Sequence, residues 1–421
     1  IYNYRELRRE LESKGHAFRG HSDTEVLLHL YLEEGEAFLA RLNGIFALAI
    51  FDQRTNSLLV ARDGLGVKPL YYSQTPRGFT FSSEIKGLLP LVPDATELDL
   101  PAIHRYLTFL WCPGDGTPLA AVRKLPPGEA LLVRQGRIER RNTWYRLPAF
   151  RGAPADLTEA EAVTGTADHV RRAVERQMVA DVPVGAFLSG GLDSSAVVAF
   201  ARETAPDIRC FTIDARDSSE DGRIDDLPYA RAVAKHLGVS LDVVEVSPQR
   251  MAADVAGMIG QLDEPLADPA ALNVLYISRL ARENGIKVLL SGAGGDDIFS
   301  GYRRHRALDL DRFWARVPRG IRAGIEASAA RLDQRRAWSR RLAKFTAGAG
   351  LDGDERIVNY FCFAREAALL DAYSPQMREA VAGHPATTPM LEFASSLPAA
   401  VPPLERMLAL EQRFFLCDHN L

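Results

Sequence analysis

Residues 184–200 read VGAFLSGGLDSSAVVAF. An apolar run from Val184 to Leu188 stops at Ser189 and turns through Gly190 and Gly191. It then presents Asp193, Ser194 and Ser195 before becoming apolar again. A short, fully apolar run is the pattern of a strand buried on both faces of a parallel sheet. Ligands of such sheets sit at the carboxyl ends of the strands, which is where Ser189, Gly190 and Gly191 fall. Glycine tolerates positive φ and lets backbone N–H groups come close to a ligand. A helix beginning near Asp193 and Ser194 aims its free amides and partial positive charge at the same point. The residues therefore spell an anion cradle, and its natural occupant is a phosphate chain. The pattern GxxxxGK[ST] is absent because no lysine follows the glycines, so the γ-phosphate grip of a kinase or GTPase is not implied.

Asp193 is out of place in an anion site. At about 5 Å and an effective dielectric of about 20, each carboxylate–phosphate pair costs roughly 3 kcal/mol. That outweighs the net gain of about 1 kcal/mol from a typical hydrogen bond. A divalent cation between the two reverses the sign, and magnesium is the usual phosphate partner. A second acid should help to hold it. Residues 286–302, IKVLLSGAGGDDIFSGY, offer one. Again an apolar strand ends in Ser291 and Gly292, then a glycine-rich turn and Asp296 and Asp297. Two strand-end loops of one design can face each other across one crevice. For Asp297 itself, a helix cap or a surface acid remains an equal reading.

Around these loops the sequence has two rhythms. Up to about residue 145 short helices alternate with hairpins: GIFALAIFD with SLLVARD, PLYYS with GFTFSSE, and a third pair turning at Gln135-Gly136. Tyr4, Leu7 and Leu11 share a helical face, as do Val26, Leu27, Leu30 and Tyr31. Ser22 and Glu25 fit a capping box for that second helix. Residues 146–160, with Pro, Gly and Ala, read as a linker. From 161 onward strand and helix alternate, which implies a parallel sheet with helices on both faces. From Gly301 onward the chain is helical and rich in arginine, read as a solvated face paired with local acids. The expected fold is thus an α+β amino-terminal domain followed by an α/β parallel-sheet domain with a helical carboxyl-terminal part.

The 421 residues are 47% hydrophobic and 25% charged, with a formal net charge of −4. That balance suits a water-soluble chain and does not call for a nucleic-acid or membrane partner. Four cysteines without metal spacing read as reduced thiols of a cytoplasmic protein. The chain opens on Ile1 rather than Met and stops after FFLCDHNL, so it is read as a fragment lacking both ends.

SGGLDSS resembles the PP-loop of ATP pyrophosphatases, which cleave between the α- and β-phosphates. Upstream, IYNYRELRREL, SDTEVLLHLYLEEG, LNGIFALAIFD, ARDGLGVKPLYY and FSSEIKGLL resemble a class II glutamine amidotransferase domain. In that order, ahead of SGGLDSS, they resemble the glutamine-dependent asparagine synthetase family over nearly the whole chain. The resemblance implies a truncated αββα-type glutaminase sandwich over 1–145, a linker over 146–160 and a PP-loop synthetase domain over 161–421. It implies ATP-dependent adenylation of the aspartate carboxylate, then amidation by ammonia released from glutamine, giving asparagine, AMP and pyrophosphate. ATP and Mg2+ are the implied cofactors. Glutamine, aspartate or another carboxylate, and ATP are the implied partners, and a homodimer is compatible with the family.

Carried over by position, Leu188 and Ile213 border the adenosine. Ser189, Gly190, Gly191, Asp193 and Ser194 form the pyrophosphate loop, and Ser291 with Gly292 is the second ATP-binding pair. Asp193 and Asp296 are the implied magnesium ligands, and Asp23 binds the glutamine amino group. Read from composition alone, Asp23 is a helix-start acid. Two departures stand out. The family's nucleophilic cysteine is expected upstream of Ile1, so the fragment alone is not expected to hydrolyse glutamine. The family's second loop usually reads SGEG, whereas Ala293 stands at the glutamate position and can neither accept nor hold a proton. Ligases or cyclases with another carboxylate acceptor, or a non-catalytic ATP-binding relative, therefore stay open. LDEPLADPAALN, with Asp263, Glu264 and Asp268, follows the family's acceptor-lining loop or is a proline-rich turn. His305 reads as a surface or satisfied histidine.

Overall fold

A computed structural model describes residues 1–92, 95–151, 156–215, 226–333 and 335–420. The contacts divide the chain into two units. One, the antiparallel unit, comprises Ile45–Ala153, Asp263–Ala267 and Asp296–Leu421. The other, the parallel-sheet unit, comprises Ile1–Gly44, Pro154–Leu262 and Asp268–Gly295.

The antiparallel unit holds β1 (Ala47–Asp52), β2 (Ser57–Arg62), β3 (Tyr71–Thr75), β4 (Gly78–Ser82), β5 (Arg123–Lys124), β6 (Glu129–Arg134) and β7 (Arg137–Thr143). They form two sheets, ordered β1-β2-β6-β7 and β4-β3-β5. The three expected hairpins are all present. At the third, Gln135 (φ 50°) and Gly136 (φ 72°) both adopt the left-handed backbone that a two-residue hairpin loop demands. Val60, Leu131 and Val133 from one sheet pack with Leu70, Tyr72 and Leu125, closing a shared core. A second core joins Phe109 and Trp111 to the later helices through Ile357, Met390, Leu410 and Phe414. The start of the expected linker is itself packed: Leu147 is buried with Leu397 and Ala409, and the Phe150 ring lies 5.7 Å from that of Phe393. Residues 152–155 of that linker lie outside the described residues.

The parallel-sheet unit holds β8 (Val184–Phe187), β9 (Arg209–Ala215), β10 (Ser240–Val246) and β11 (Val288–Leu290). Their order is β10-β9-β8-β11, and each neighbouring pair is parallel. Successive residues of β9 point to opposite faces, as a strand requires. Cys210 packs with Val174, Val198, Ala201, Ala230 and Ala234. Phe211 packs with Ile277, Ala281 and Ile286 on the other face. Helices Glu159–Gln177, Leu192–Thr204 and Leu227–Leu237 supply the first set; helix Ala270–Glu283 supplies Ile277 and Ala281 of the second, and Ile286 comes from the turn before β11. The architecture is therefore mixed α/β with a parallel sheet covered on both faces. Helix Pro248–Ile259 has a signal that periodicity alone passes over: Ser247 caps it and Pro248 opens it.

One local expectation is corrected. Ser22 and Glu25 do not form a capping box. Ser22 Oγ accepts from Thr24 N (3.0 Å), while Glu25 accepts from Arg19 N (2.7 Å) and Gly20 N (2.8 Å). Glu25 lies closer to the incoming loop than to the cap, so its carboxylate satisfies two loop amides instead. Among the described residues no helix is long and apolar enough to cross a membrane. All four cysteines are free thiols, and burial pushes Cys112, Cys210 and Cys417 up to about 11 and Cys362 to about 12. Thiols held that far from ionisation are poor nucleophiles.

Candidate active site

The turn after β8 is built as its residues suggest. Leu188 N donates to Phe211 O (3.0 Å), so β8–β9 pairing runs to the edge of the loop. Ser189 then leaves the sheet exposed, and helix Leu192–Thr204 begins with Gly191 as its cap and no side-chain cap. Ser189 Oγ and Ser194 Oγ lie 3.0 Å apart, and Gly191 N donates to Ser189 Oγ (3.3 Å). Ser195 Oγ donates to Gly191 O (2.7 Å). Gly190 takes φ 82°, and a Cβ there would fall 2.5 Å from Tyr229 C and 2.6 Å from Tyr229 Cβ. The first turn of helix Leu227–Leu237 thus lies directly against the loop. The sequence gives no local hint of that contact.

The second loop touches the first. A Cβ on Gly292 would sit 2.7 Å from Ser194 N and 3.0 Å from Asp193 Cβ. One on Gly295 would sit 2.7 Å from Asp193 Oδ1. The Asp193 carboxylate therefore lies over the glycine turn that follows Ser291. Ser291 Oγ accepts from Ala293 N (3.1 Å), and Gly295 N donates to Gly292 O (3.2 Å), closing a tight turn. Ser189, Gly190, Gly191, Asp193, Ser194, Ser291 and Gly292 are thus brought together at the carboxyl ends of β8 and β11. Asp296 opens the last segment of the antiparallel unit, where its carboxylate packs against Gly301 so closely that no Cβ fits there. Among the described residues no group of three or more His, Cys, Asp or Glu side chains could hold a metal.

The remaining carried-over positions fall elsewhere in the parallel-sheet unit. The Leu188 side chain is buried in the core with Val198 and Ala230, so only its backbone can border a ligand. Ile213 is half-buried in β9 and packs beside Val244. Asp23 begins helix Asp23–Glu34, and its Oδ2 accepts the α-amino group of Ile1 at 2.8 Å.

The acids of LDEPLADPAALN are all used internally. Asp263 Oδ1 accepts from Ile85 N (3.0 Å), and Asp268 Oδ1 accepts from Ala270 N (2.7 Å). Glu264 accepts from Tyr71 Oη (3.0 Å) and from Lys124 Nζ (3.1 Å). Lys124 Nζ also donates to Cys112 O (2.7 Å) and pairs with Asp418 (3.2 Å). Burial alone would lower Lys124, but Asp418 and Glu264 outweigh it and hold the ammonium well above the ordinary lysine range. Burial pushes Glu264 up against the pull of Lys124, since two carboxylates share one lysine. In ARDGLGVKPLYY, Asp63 accepts from Phe46, Leu65, Val67 and Lys68 amides, and Arg62 donates to Gly66, Lys68 and Leu125 carbonyls. That motif shapes a loop.

His305 is satisfied but buried: Nε2 faces Glu411 (2.9 Å), and Nδ1 accepts from Gly301 N (3.0 Å). The arginine-rich face also reaches distant acids. Arg304 pairs with Glu411, and Arg319 and buried Arg322 pair with Asp352.

Comparison with known proteins finds two family matches along the chain. The profile of a glutamine amidotransferase domain matches residues 1–145, and that of asparagine synthase matches residues 165–421. The chain is of the class that joins an amidotransferase domain to a synthase. It belongs to the asparagine synthase family. "Asparagine synthetase [glutamine-hydrolyzing] 1" of Bacillus subtilis is 35% identical over 323 residues, 76% of this chain and 50% of that one. A "putative asparagine synthetase [glutamine-hydrolyzing]" of Mycobacterium bovis is 35% identical over 314 residues, covering 73% and 47%. "Amidase chyE" of Penicillium rubens is 28% identical over 324 residues, covering 73% and 47%. The chain spans about half the length of these relatives.

Proposed function

We propose that the protein is an ATP-dependent carbon–nitrogen ligase of the glutamine-dependent asparagine synthetase type. It adenylates the aspartate carboxylate with release of pyrophosphate, and ammonia from glutamine then displaces AMP. The observation that carries the reading is the seam between the two strand-end loops, with Gly292 against Ser194 N and Gly295 against the Asp193 carboxylate. A carboxylate oxygen is a poor leaving group, whereas AMP is a good one, so the chemistry needs a grip on departing pyrophosphate. The amides of the first turn of helix Leu192–Thr204 and the Ser189 and Ser194 hydroxyls supply donors aimed at that charge. Magnesium fits this donor set, because it takes one or two carboxylates and completes its shell with phosphate oxygens and water. Asp193 would hold it, with Asp296 as the second acid, and its charge would offset that of the pyrophosphate. The Leu188 backbone and Ile213 border the adenosine in this reading, Ser291 and Gly292 hold the second side of the nucleotide, and Asp23 takes the glutamine amino group.

The finer architecture follows the same reading. The two antiparallel sheets belong to an αββα-type glutaminase sandwich over 1–145, 146–160 links, and 161–421 is the PP-loop synthetase part. A cytoplasmic enzyme, acting on small molecules and able to form a homodimer, fits the family. A second reading rests on Ala293, which puts no carboxylate at the second loop, and on Glu264, whose oxygens are committed to Tyr71 and Lys124. In it the acceptor is another carboxylate.

Pyrophosphate release separates these readings. The protein should release pyrophosphate from ATP when given aspartate and ammonia, and Asp193→Asn should slow that release by about 100-fold or more. Release only with a different acid establishes the second reading. ATP binding without release under any acceptor rejects both.

A further inference from the structure

Two histidines away from the phosphate loops form a contact that the reaction does not use. Helix Asp23–Glu34 carries Glu25, His29 and Glu33 at four-residue steps, which places them along one face. His16 follows Gly15, just after helix Tyr4–Ser13. His16 Nδ1 and His29 Nδ1 lie 2.9 Å apart, with their rings nearly perpendicular at 81°. The outer nitrogens face acids: His16 Nε2 is 2.8 Å from Glu33 Oε1, and His29 Nε2 is 3.9 Å from Glu25 Oε1. The Phe18 ring covers His29 at 4.4 Å, and the Arg8 guanidinium lies 4.5 Å from the Phe18 ring. Arg8 also donates to Gly20 O (2.6 Å) and pairs with Glu12. The amides of Arg19 and Gly20 hold Glu25 below the usual carboxylate range. The loop from Gly15 to Ser22 is therefore folded onto the helix that begins at Asp23.

Two imidazole nitrogens at 2.9 Å share one proton. With both rings neutral, His16 carries its proton on Nε2, donates it to Glu33, and accepts at Nδ1 from His29 Nδ1–H. One further proton can go to His29 Nε2, which faces Glu25, without disturbing the contact. The pair then holds one positive charge between two carboxylates. The next proton has only the shared side left, where it sets N–H against N–H, and the rings must part.

We propose that His16 and His29 are positioning residues that hold the Gly15–Ser22 loop, and with it Asp23, through this one shared proton. A second added proton opens the latch, so the loop is held at neutral pH and released on acidification. The link to glutamine rests on the reading of Asp23 given above; the shared proton does not.

Imidazole 15N spectra of the full chain between pH 8 and pH 5 test the shared proton. His16 is expected to keep Nε2 protonated and Nδ1 accepting at neutral pH, with one proton held between the two Nδ1 atoms. His16→Gln should shift the His29 titration. Ring spectra of His16 and His29 that change independently of each other, with His29 unmoved in His16→Gln, would overturn the proposal. Calorimetry with glutamine tests the positioning. His16→Gln should bind glutamine about fivefold or more weakly at neutral pH. The parent's affinity should drop on acidification, the variant's should show no such step, and ATP binding should be equal in both. Parent-like glutamine affinity and pH profile in His16→Gln would also overturn it. Asp23→Asn with undiminished glutamine affinity would remove Asp23 from the site while the spectra still decide the shared proton.

Discussion

Gly190→Ala and Gly191→Ala should fail in different ways. Gly190 has φ 82°, and its missing Cβ is where Tyr229 lies, at 2.5 Å from the carbonyl carbon and 2.6 Å from Cβ. The left-handed backbone alone costs an alanine about 1–2 kcal/mol. The rest of the cost comes from pushing back the first turn of helix Leu227–Leu237, since backbone cannot swing away as a side chain can. Gly190→Ala should therefore lower the urea midpoint, and pyrophosphate release should fall by about 100-fold because the cradle shifts by a sizeable fraction of an ångström. Gly191 is different. Its φ is −69°, and a Cβ there meets only Ser189 Oγ at 3.4 Å, an ordinary contact. Replacing it at a cap position should cost the fold no more than about 1 kcal/mol. Its Cβ would nonetheless stand where a phosphate must approach the amides, so ATP affinity should fall while the urea midpoint barely moves. Full ATP affinity in Gly191→Ala would mean that no phosphate comes to this turn.

That contrast also marks the limit of reading from sequence. The strands β9 and β10 were legible because strand-like runs alternate with helical ones, and β8 and β11 because short apolar runs end at Ser189-Gly190 and Ser291-Gly292. The SGGLDSS turn was legible for the same reason. What lies behind Gly190 was not, because Tyr229 belongs to a helix that begins 37 residues later, with no local pattern tying the two. The cap of helix Asp23–Glu34 shows how a local rule is overridden. Ser22 and Glu25 have the right spacing, but the Glu25 carboxylate finds two loop amides within 2.8 Å and takes those. Leu188 is another case. A family position says that it borders a nucleotide, and packing adds that its side chain is spent on the core. The histidine pair lacked any periodic signal, since His16 lies in a loop and only His29 lies on a helix.

Lys124→Met should be the most damaging substitution outside the phosphate loops. The Lys124 side chain is 6% exposed, and its partners Asp418 and Glu264 are 3% and 18% exposed. Breaking such a pair from one side strands the opposite charge, which typically costs 3–5 kcal/mol, about what is expected here. In the parent, the raised Lys124 contributes stability that is complete below the ordinary lysine range, near 10.4, and is lost only as pH climbs through the higher folded value. In the variant the acids govern. Glu264, raised by burial and now without its lysine, binds its proton more tightly folded than unfolded, so lowering the pH restores stability. The urea midpoint of Lys124→Met should thus lie far below the parent's at pH 8 and recover part of the gap near pH 5. Adding Asp418→Asn removes one stranded charge, and Glu264 keeps its bond from Tyr71, so the double variant should be more stable than the single one at pH 8. An equal loss at both pH values with no recovery in the double variant would show that the lysine acts there through its bond to Cys112 O and its bulk, not through its charge.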